Sequence, residues 1–362
     1  MKRAFFILII SGLFFSCNQQ PKYTISGEFA NSPDTMIYLQ KRIDGVFVNV
    51  DSTLLIDGKF KMKGSANTIE EYYLSMGQRD KKMFFLENTN IKVVPDSSIL
   101  LKNAAINGGK VQALFSEYEE KYDRLYNFML SVYYKARDEQ NEETKISLEM
   151  QADSLYENIE LFQETFLLEH PASPVSVNIL TRIQYGRNAD ELNQLFEKLD
   201  TSLAYMAAYQ FIAKRVEELQ KVAIGEIAPD FTQNDSNGNP ITFSDVYRAN
   251  QLTLIDFWAS WCGPCRVENP NVVAAFQKYH SKGFTVFGVS LDSDRERWLK
   301  AINDDGLTWQ HVSDLKGWEN AFSKAYAVNS IPANFLVDQN GKIIAAGLNG
   351  KDLFLKLGEL LD

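Results

Sequence analysis

Residues 254–270 read LIDFWASWCGPCRVENP. The first part, from Leu254 to Trp258, is apolar except for Asp256, the pattern of a strand buried on both faces. After it come Cys262 and Cys265, and then a stretch of helical character. A Cys-x-x-Cys that follows an apolar strand and opens a helix is a redox pattern rather than a packing pattern. The helix start offers unpaired backbone N–H groups and the positive end of the helix dipole, both of which favour the first cysteine as thiolate. A thiolate is the species that attacks a disulfide. The second cysteine, one turn deeper, can then displace the first from a mixed disulfide.

Working outward, residues 253–257, 285–291 and 334–337 read as apolar strands, and 265–282, 295–305 and 352–361 as helices, an α/β layout from residue 223 onward. Upstream, residues 22–110 read as a β-rich domain, an antiparallel sandwich or a partly open barrel. Asp44-Gly45 and Asp57-Gly58 are hairpin turn signals, because glycine accepts positive φ without steric cost. Lys59-Phe60-Lys61-Met62-Lys63 places two apolar side chains on one face and lysines on the other, and further strands are expected at 72–76, 83–86 and 90–94.

Residues 111–222 change to helical spacing. The stripe Leu114, Tyr118, Tyr122, Leu125 and Met129 reads as core packing. A charged break follows at 138–144, and His170-Pro171 ends the next helix. Helical runs are then expected at 175–184, 190–199 and 202–222.

The N-terminus opens with Lys2 and Arg3, continues with apolar residues 4–15, and reaches Ser16 and Cys17. That reads as an export signal over residues 1–17, too short to cross a bilayer comfortably as a permanent helix. Hydrophobic residues make up 45% and charged residues 23% of the 362, the balance of a globular protein with several cores. The net charge of −10 repels phosphate backbones, so no nucleic acid is expected as a partner. The chain has 3 cysteines, so at least one stands outside any intrachain disulfide.

The segment around the cysteines resembles thioredoxin, and the chain from residue 223 on resembles the membrane-anchored thioredoxin-like proteins typified by ResA and TlpA. Trp261-Cys262-Gly263-Pro264-Cys265 is identical to the thioredoxin active-site string. Residues 225–231, GEIAPDF, resemble the segment that opens this family's domain, and Pro270 falls where its long helix is kinked. Ser330-Ile331-Pro332 is similar to the loop that carries a cis-proline opposite the cysteines. The resemblance implies a central mixed sheet flanked by helices, with Trp261, Gly263, Pro264, Ile331 and Pro332 meeting the substrate. It also implies that Cys262 attacks and Cys265 resolves. Asp256 matches thioredoxin's buried aspartate, and a carboxylate in an apolar strand has a raised pKa suited to taking the proton of Cys265. Glu268 falls where ResA-like proteins keep an active-site glutamate; the alternative is a solvated charge early in a helix. Trp258 and Trp261 flank the site, read as packing rather than chemistry.

Phe14-Phe15-Ser16-Cys17 resembles a bacterial lipobox, with Phe14 where leucine is usual. This implies a lipid on Cys17 and a membrane-anchored lipoprotein on the periplasmic side of a Gram-negative-type bacterium. Residues 22–222 resemble the N-terminal region of lipoproteins from gut-type bacteria, a domain of unknown function.

Other chemistries lack their residues. A zinc site needs four suitably spaced ligands, and His280 and His311 are too far apart to complete one, so no metal is expected. The peroxidase string Pro-x-x-x-Thr-x-x-Cys is missing, since Ile255 and Ala259 occupy its key positions. No P-loop or dinucleotide fingerprint occurs, so no cofactor is expected beyond the Cys262–Cys265 pair itself. The expected function is thiol–disulfide exchange, as a tethered reductase of protein disulfides fed by a transmembrane thiol donor. Cytochrome c maturation and repair of misoxidised exported proteins are the client processes this implies. A disulfide oxidase or isomerase, or a binding lipoprotein whose redox domain serves one client, are the alternatives.

Overall fold

The computed structural model describes residues 22–43, 45–98 and 100–362. Cys17 and the export segment lie outside the described residues, as does Asp44 of the first turn signal. The chain divides into two compact units between Phe128 and Met129.

The first unit holds β1 (Tyr23–Glu28), β2 (Thr35–Ile43), β3 (Val46–Leu55), β4 (Lys59–Gly64), β5 (Glu70–Met76), β6 (Asp80–Leu86), β7 (Asn90–Val94) and β8 (Ala105–Asn107). They form two four-stranded sheets, ordered β4-β1-β7-β8 and β3-β2-β5-β6. Ile25, Phe60, Met62, Ile91 and Val93 from the first sheet share one core with Ile37, Leu39, Leu74 and Phe84 from the second. The expected sandwich forms, but it is not wholly antiparallel, since β1 and β7 pair in parallel. The alternation in β4 buries Phe60 and Met62 and exposes the three lysines. Asp57 and Gly58 both take positive φ, +50° and +71°, as a tight hairpin turn requires.

Helix α1 (Lys110–Asp138) starts in this unit. Its first amides, which have no partner within the helix, donate to the Glu87 carboxylate from Lys110, Val111 and Gln112. Of the expected stripe, Tyr118 and Met129 are buried, while Tyr122 and Leu125 are only half-buried.

The second unit continues with α2 (Glu142–Glu169), α3 (Pro174–Ile183), α4 (Ala189–Phe196) and α5 (Ala207–Gln220). The charged break supplies Asn141 as the N-cap of α2, its side chain accepting from Thr144 N–H at 2.9 Å. There follow β9 (Thr232–Asn234), β10 (Pro240–Thr242), α6 (Phe243–Arg248), β11 (Leu252–Trp258), α7 (Gly263–Tyr279), β12 (Phe284–Ser290), α8 (Arg295–Asp304), β13 (Gln310–Val312), α9 (Ala321–Ala325), β14 (Ala333–Asp338), β15 (Ile343–Ala346) and α10 (Gly350–Leu361). The main sheet runs β13-β12-β11-β14-β15, with β11 parallel to β12 and antiparallel to β14. This is the thioredoxin-like mixed sheet with helices on its faces. Strand β11, at its centre, is buried at every position.

Leu167, Val177, Leu192, Ile212 and Val216 from the helical run belong to the same apolar core as Leu254, Phe257, Val286 and Leu336. Buried Arg215 of α5 donates from Nη1 to the carbonyl of Ala327, a residue held at φ +52°. The helices from α2 to α5 thus fold as one body with the thioredoxin-like part.

Candidate active site

Strand β11 carries Asp256 and delivers the chain, through Ala259 to Trp261, to the first turn of α7. Cys262 is the N-cap of α7, and its Sγ accepts from the Cys265 N–H at 3.1 Å. Cys262 and Cys265 are joined as a disulfide, 4% and 1% exposed respectively. An oriented amide already aimed at the outer sulfur stabilises the charge that appears there on reduction. Gly263 and Pro264 form the exposed first turn of α7, and the space where a Cβ on Gly263 would lie is open. The backbone at that point is open to approach from solvent. Pro270 lies within α7, which continues past it to Tyr279.

The opposite wall is the segment before β14. The Ile331–Pro332 bond is cis, and the Ile331 carbonyl oxygen lies 3.8 Å from Cys262 Sγ. Its approach is held from behind. Tyr326 Oη donates to the Pro229 carbonyl at 2.8 Å, and Arg215 holds the carbonyl of Ala327. Asn334 clamps the other end, accepting from Leu348 N–H at 2.8 Å and donating to the Leu348 carbonyl at 2.7 Å.

Asp256 is buried, and its carboxyl is pushed up to about 7, first by burial and second by the charge of Glu268. It is thus poised to change protonation near neutral pH. Glu268 has another use as well. Its carboxylate accepts from Gly350 N–H at 2.6 Å and from Asn271 Nδ2 at 3.0 Å, so it caps the N-terminus of α10 and acts on Asp256 through its charge.

The two tryptophans separate. Trp258 is buried, edge-on to His311 at 5.5 Å between ring centres. Trp261 is 52% exposed beside Cys262. His311 is enclosed by Trp258 and Trp309, and burial pushes its imidazole down to about 3. Its ring lies over Gly288, where a Cβ would stand 2.3 Å from Nδ1, which is why the paired strand carries glycine there.

Three supporting groups escape a reading of motifs. Buried Asp292 accepts from Ser260 N–H at 2.9 Å, from Ser260 Oγ at 2.5 Å and from Ser290 Oγ at 2.8 Å. It fixes the loop that presents the cysteines. Arg266 and Asn269 of α7 both reach Asp305 at the end of α8. Arg215 acts from a helix far upstream. Each depends on a partner distant in sequence, and only Asp292, an acid at the end of an apolar strand, left a local signal.

The AhpC/TSA family model matches residues 224–346, and that of a domain of unknown function, DUF4369, matches residues 23–115. The thiol-disulfide oxidoreductase ResA of Geobacillus thermodenitrificans (strain NG80-2) is 32% identical over 135 residues, covering 37% of this chain and 75% of that protein. ResA of Bacillus subtilis (strain 168) is 26% identical over 125 residues, 34% of this chain and 67% of that protein. Among solved structures, the thioredoxin domain of a thiol-disulfide oxidoreductase from Bacteroides vulgatus is 34% identical, covering 39% of this chain and 99% of that one, with a TM-score of 0.36. A thiol-disulfide oxidoreductase from Bacteroides fragilis is 37% identical, covering 38% and 100%, also with a TM-score of 0.36. With a redox-type cysteine pair capping α7 and 32% identity over three quarters of the Geobacillus ResA, the chain belongs to the ResA-like thiol-disulfide oxidoreductases, with a DUF4369 domain ahead of its thioredoxin-like part.

Proposed function

We propose that the protein is a reductase of protein disulfides outside the cytoplasm, held to a membrane by a lipid on Cys17. The observation that carries the direction is Asp256, a buried carboxylate that titrates near neutrality within the unit that holds the dithiol. A negative charge buried in the strand that leads into the cysteine turn opposes thiolate formation, so it favours giving electrons away and forming the disulfide. In the working cycle, the Cys262 thiolate attacks one sulfur of a client disulfide, and the client's other sulfur leaves as thiolate and takes a proton. Cys265 then loses its proton to the Asp256 carboxylate and attacks Cys262 Sγ, closing the Cys262–Cys265 disulfide and expelling the second client sulfur as a thiolate, which takes a proton from water. Two electrons pass to the client.

Ile331 and Pro332 would align the client backbone, with Trp261, Gly263 and Pro264 forming the facing surface. No cofactor enters the cycle beyond the cysteine pair. Renewal needs a thiol donor, here a transmembrane carrier. Immature c-type cytochromes and misoxidised exported proteins are clients of the required chemistry. Among the described residues no helix is long and apolar enough to cross a membrane. The tether in this reading is the lipid on Cys17.

The deciding measurement is the reduction potential of the pair, equilibrated against glutathione and dithiothreitol. A value near the roughly −270 mV of thioredoxin supports the reductase. A value near the roughly −120 mV of DsbA makes the protein a disulfide donor instead.

A further inference from the structure

Trp318 lies in the stretch between β13 and α9, far from the cysteines in sequence, yet its ring centre is 6.1 Å from that of Trp261 at an angle of 57°. Trp318 is 44% exposed, and Trp261 is 52% exposed. Two large aromatic rings tilted to each other and open to solvent, one of them on the residue next to Cys262, form a notch rather than a piece of core.

The notch is a built feature, because both loops hang from the end of β12. Trp258 accepts from Leu291 N–H at 2.8 Å, and Ser260 is held by Asp292 through its N–H and its hydroxyl. On the other side, Ser313 Oγ donates to the Ser290 carbonyl at 2.9 Å and accepts from Leu315 N–H at 3.1 Å. Ser290 Oγ in turn donates to Asp292, so one buried carboxylate and three serines tie the loops together. Leu315 is held at φ +56°, a conformation disfavoured for a branched side chain, and Gly317 follows at φ +58°. Asp314 closes the turn by accepting from Lys316 N–H at 3.1 Å and Asn320 Nδ2 at 2.9 Å. A disfavoured backbone kept in place by buried polar contacts delivers Trp318 opposite Trp261.

We infer that Trp318 and Trp261 form a docking notch for a large apolar side chain next to the client's attacked cysteine. This rests on the reading of the protein as a reductase of polypeptide disulfides, because attack by Cys262 is what brings such a chain to this spot. The Ile331 carbonyl, 3.8 Å from Cys262 Sγ, lies ready for the client backbone. The rings then take a neighbouring side chain, and Trp318 becomes a determinant of which disulfides react fastest.

The test uses the full chain, reduced beforehand and freed of reductant, in single-turnover reaction with two disulfide peptides. The peptides differ only in carrying Phe or Gly beside the attacked cysteine. Wild type should favour the Phe peptide by about tenfold in second-order rate constant, through a lower half-saturating concentration rather than a faster saturated step. Trp318→Ala should bring the ratio close to one with the reduction potential of the pair unchanged, and Trp318→Phe should restore most of the preference. A wild type without preference, or a Trp318→Ala that keeps the wild-type ratio while all rates fall together, overturns the notch. A wild type that reduces neither peptide overturns the reductase reading instead.

Discussion

The N-terminal sandwich and the C-terminal unit both bury their apolar side chains thoroughly, with Ile25, Phe29, Ile37 and Phe84 inaccessible in one and Leu254, Phe257, Val286 and Val289 in the other. Their polar interiors differ. Among the described residues of the sandwich unit, the buried polar side chains are Gln40, Ser75 and Gln112, none of them charged. The C-terminal unit buries Arg215, Asp256 and Asp292, together with His311. Burying a charge costs free energy unless it is paired or changes protonation, so a fold keeps one where something else demands it. Here those groups surround or support the redox pair: Asp292 holds the loop before Cys262, Arg215 the chain leading to Ile331, and Asp256 lies in the strand feeding the site. The sandwich shows the other economy, with apolar side chains left outside. Val46, Val48 and Val50 of edge strand β3 are all exposed.

The sharpest way to break this contrast is to remove the charge of Asp256. Its folded pKa of about 7 lies above the ordinary 3.8, so the native state holds this proton more tightly than the unfolded chain. Its contribution to stability is therefore full below about pH 4 and is lost as pH rises through 7. Asp256→Asn should track wild type at low pH and exceed it at pH 8 by on the order of 4 kcal/mol, read by denaturant unfolding of the oxidised protein. The same variant should slow resolution of the mixed disulfide by about 100-fold. Equal stabilities at both pH values would remove the buried charge from the comparison.

Next in size is Asp292→Ala, which orphans the amide and hydroxyl of Ser260 and the hydroxyl of Ser290. A loss of about 3 kcal/mol is expected, with slower attack by Cys262 as the loop loosens. The sandwich counterpart is Gln112→Ala, which removes two neutral hydrogen bonds, one accepted from Phe85 N–H and one donated to Ser116 Oγ, and should cost about 1.5 kcal/mol. Similar losses for the two would mean that the C-terminal unit spends nothing special on its site. The smallest effect belongs to Val48→Thr on β3, expected within about 0.5 kcal/mol of wild type, since the side chain is already in water. A larger loss would show that this strand is covered in solution.

What could be read in advance follows the range of the interactions. The strand-to-helix step at Cys262, the turn at Asp57-Gly58, the lysine-flanked alternation of β4 and the end of α2 at His170 were legible, because each is decided by neighbouring residues. Asp256 was legible because a lone acid in an apolar strand is conspicuous. The bracing of the site was not. Nothing near Arg215 announces a bond to Ala327, and nothing near Trp318 announces a ring opposite Trp261. The short strands β13 and β15 and helix α6 also gave too few residues for a period to emerge. The helical run from 111 read as a separate segment because its spacing is helical throughout, whereas its later helices finish the apolar core of the part that follows.

The bond from Arg215 to Ala327 joins residues 112 positions apart, and it limits how the catalytic part can be transplanted. A fragment beginning at residue 223 carries the cysteines, the strand with Asp256 and the cis-proline loop, but leaves behind the guanidinium that holds that loop and the apolar face of α5. In modular terms, the unit of inheritance recognisable from the cysteines is smaller than the compact unit in which it sits here. A graft that keeps the redox motif and drops the preceding helices would move a reactive dithiol without the scaffold that keeps its client groove in shape.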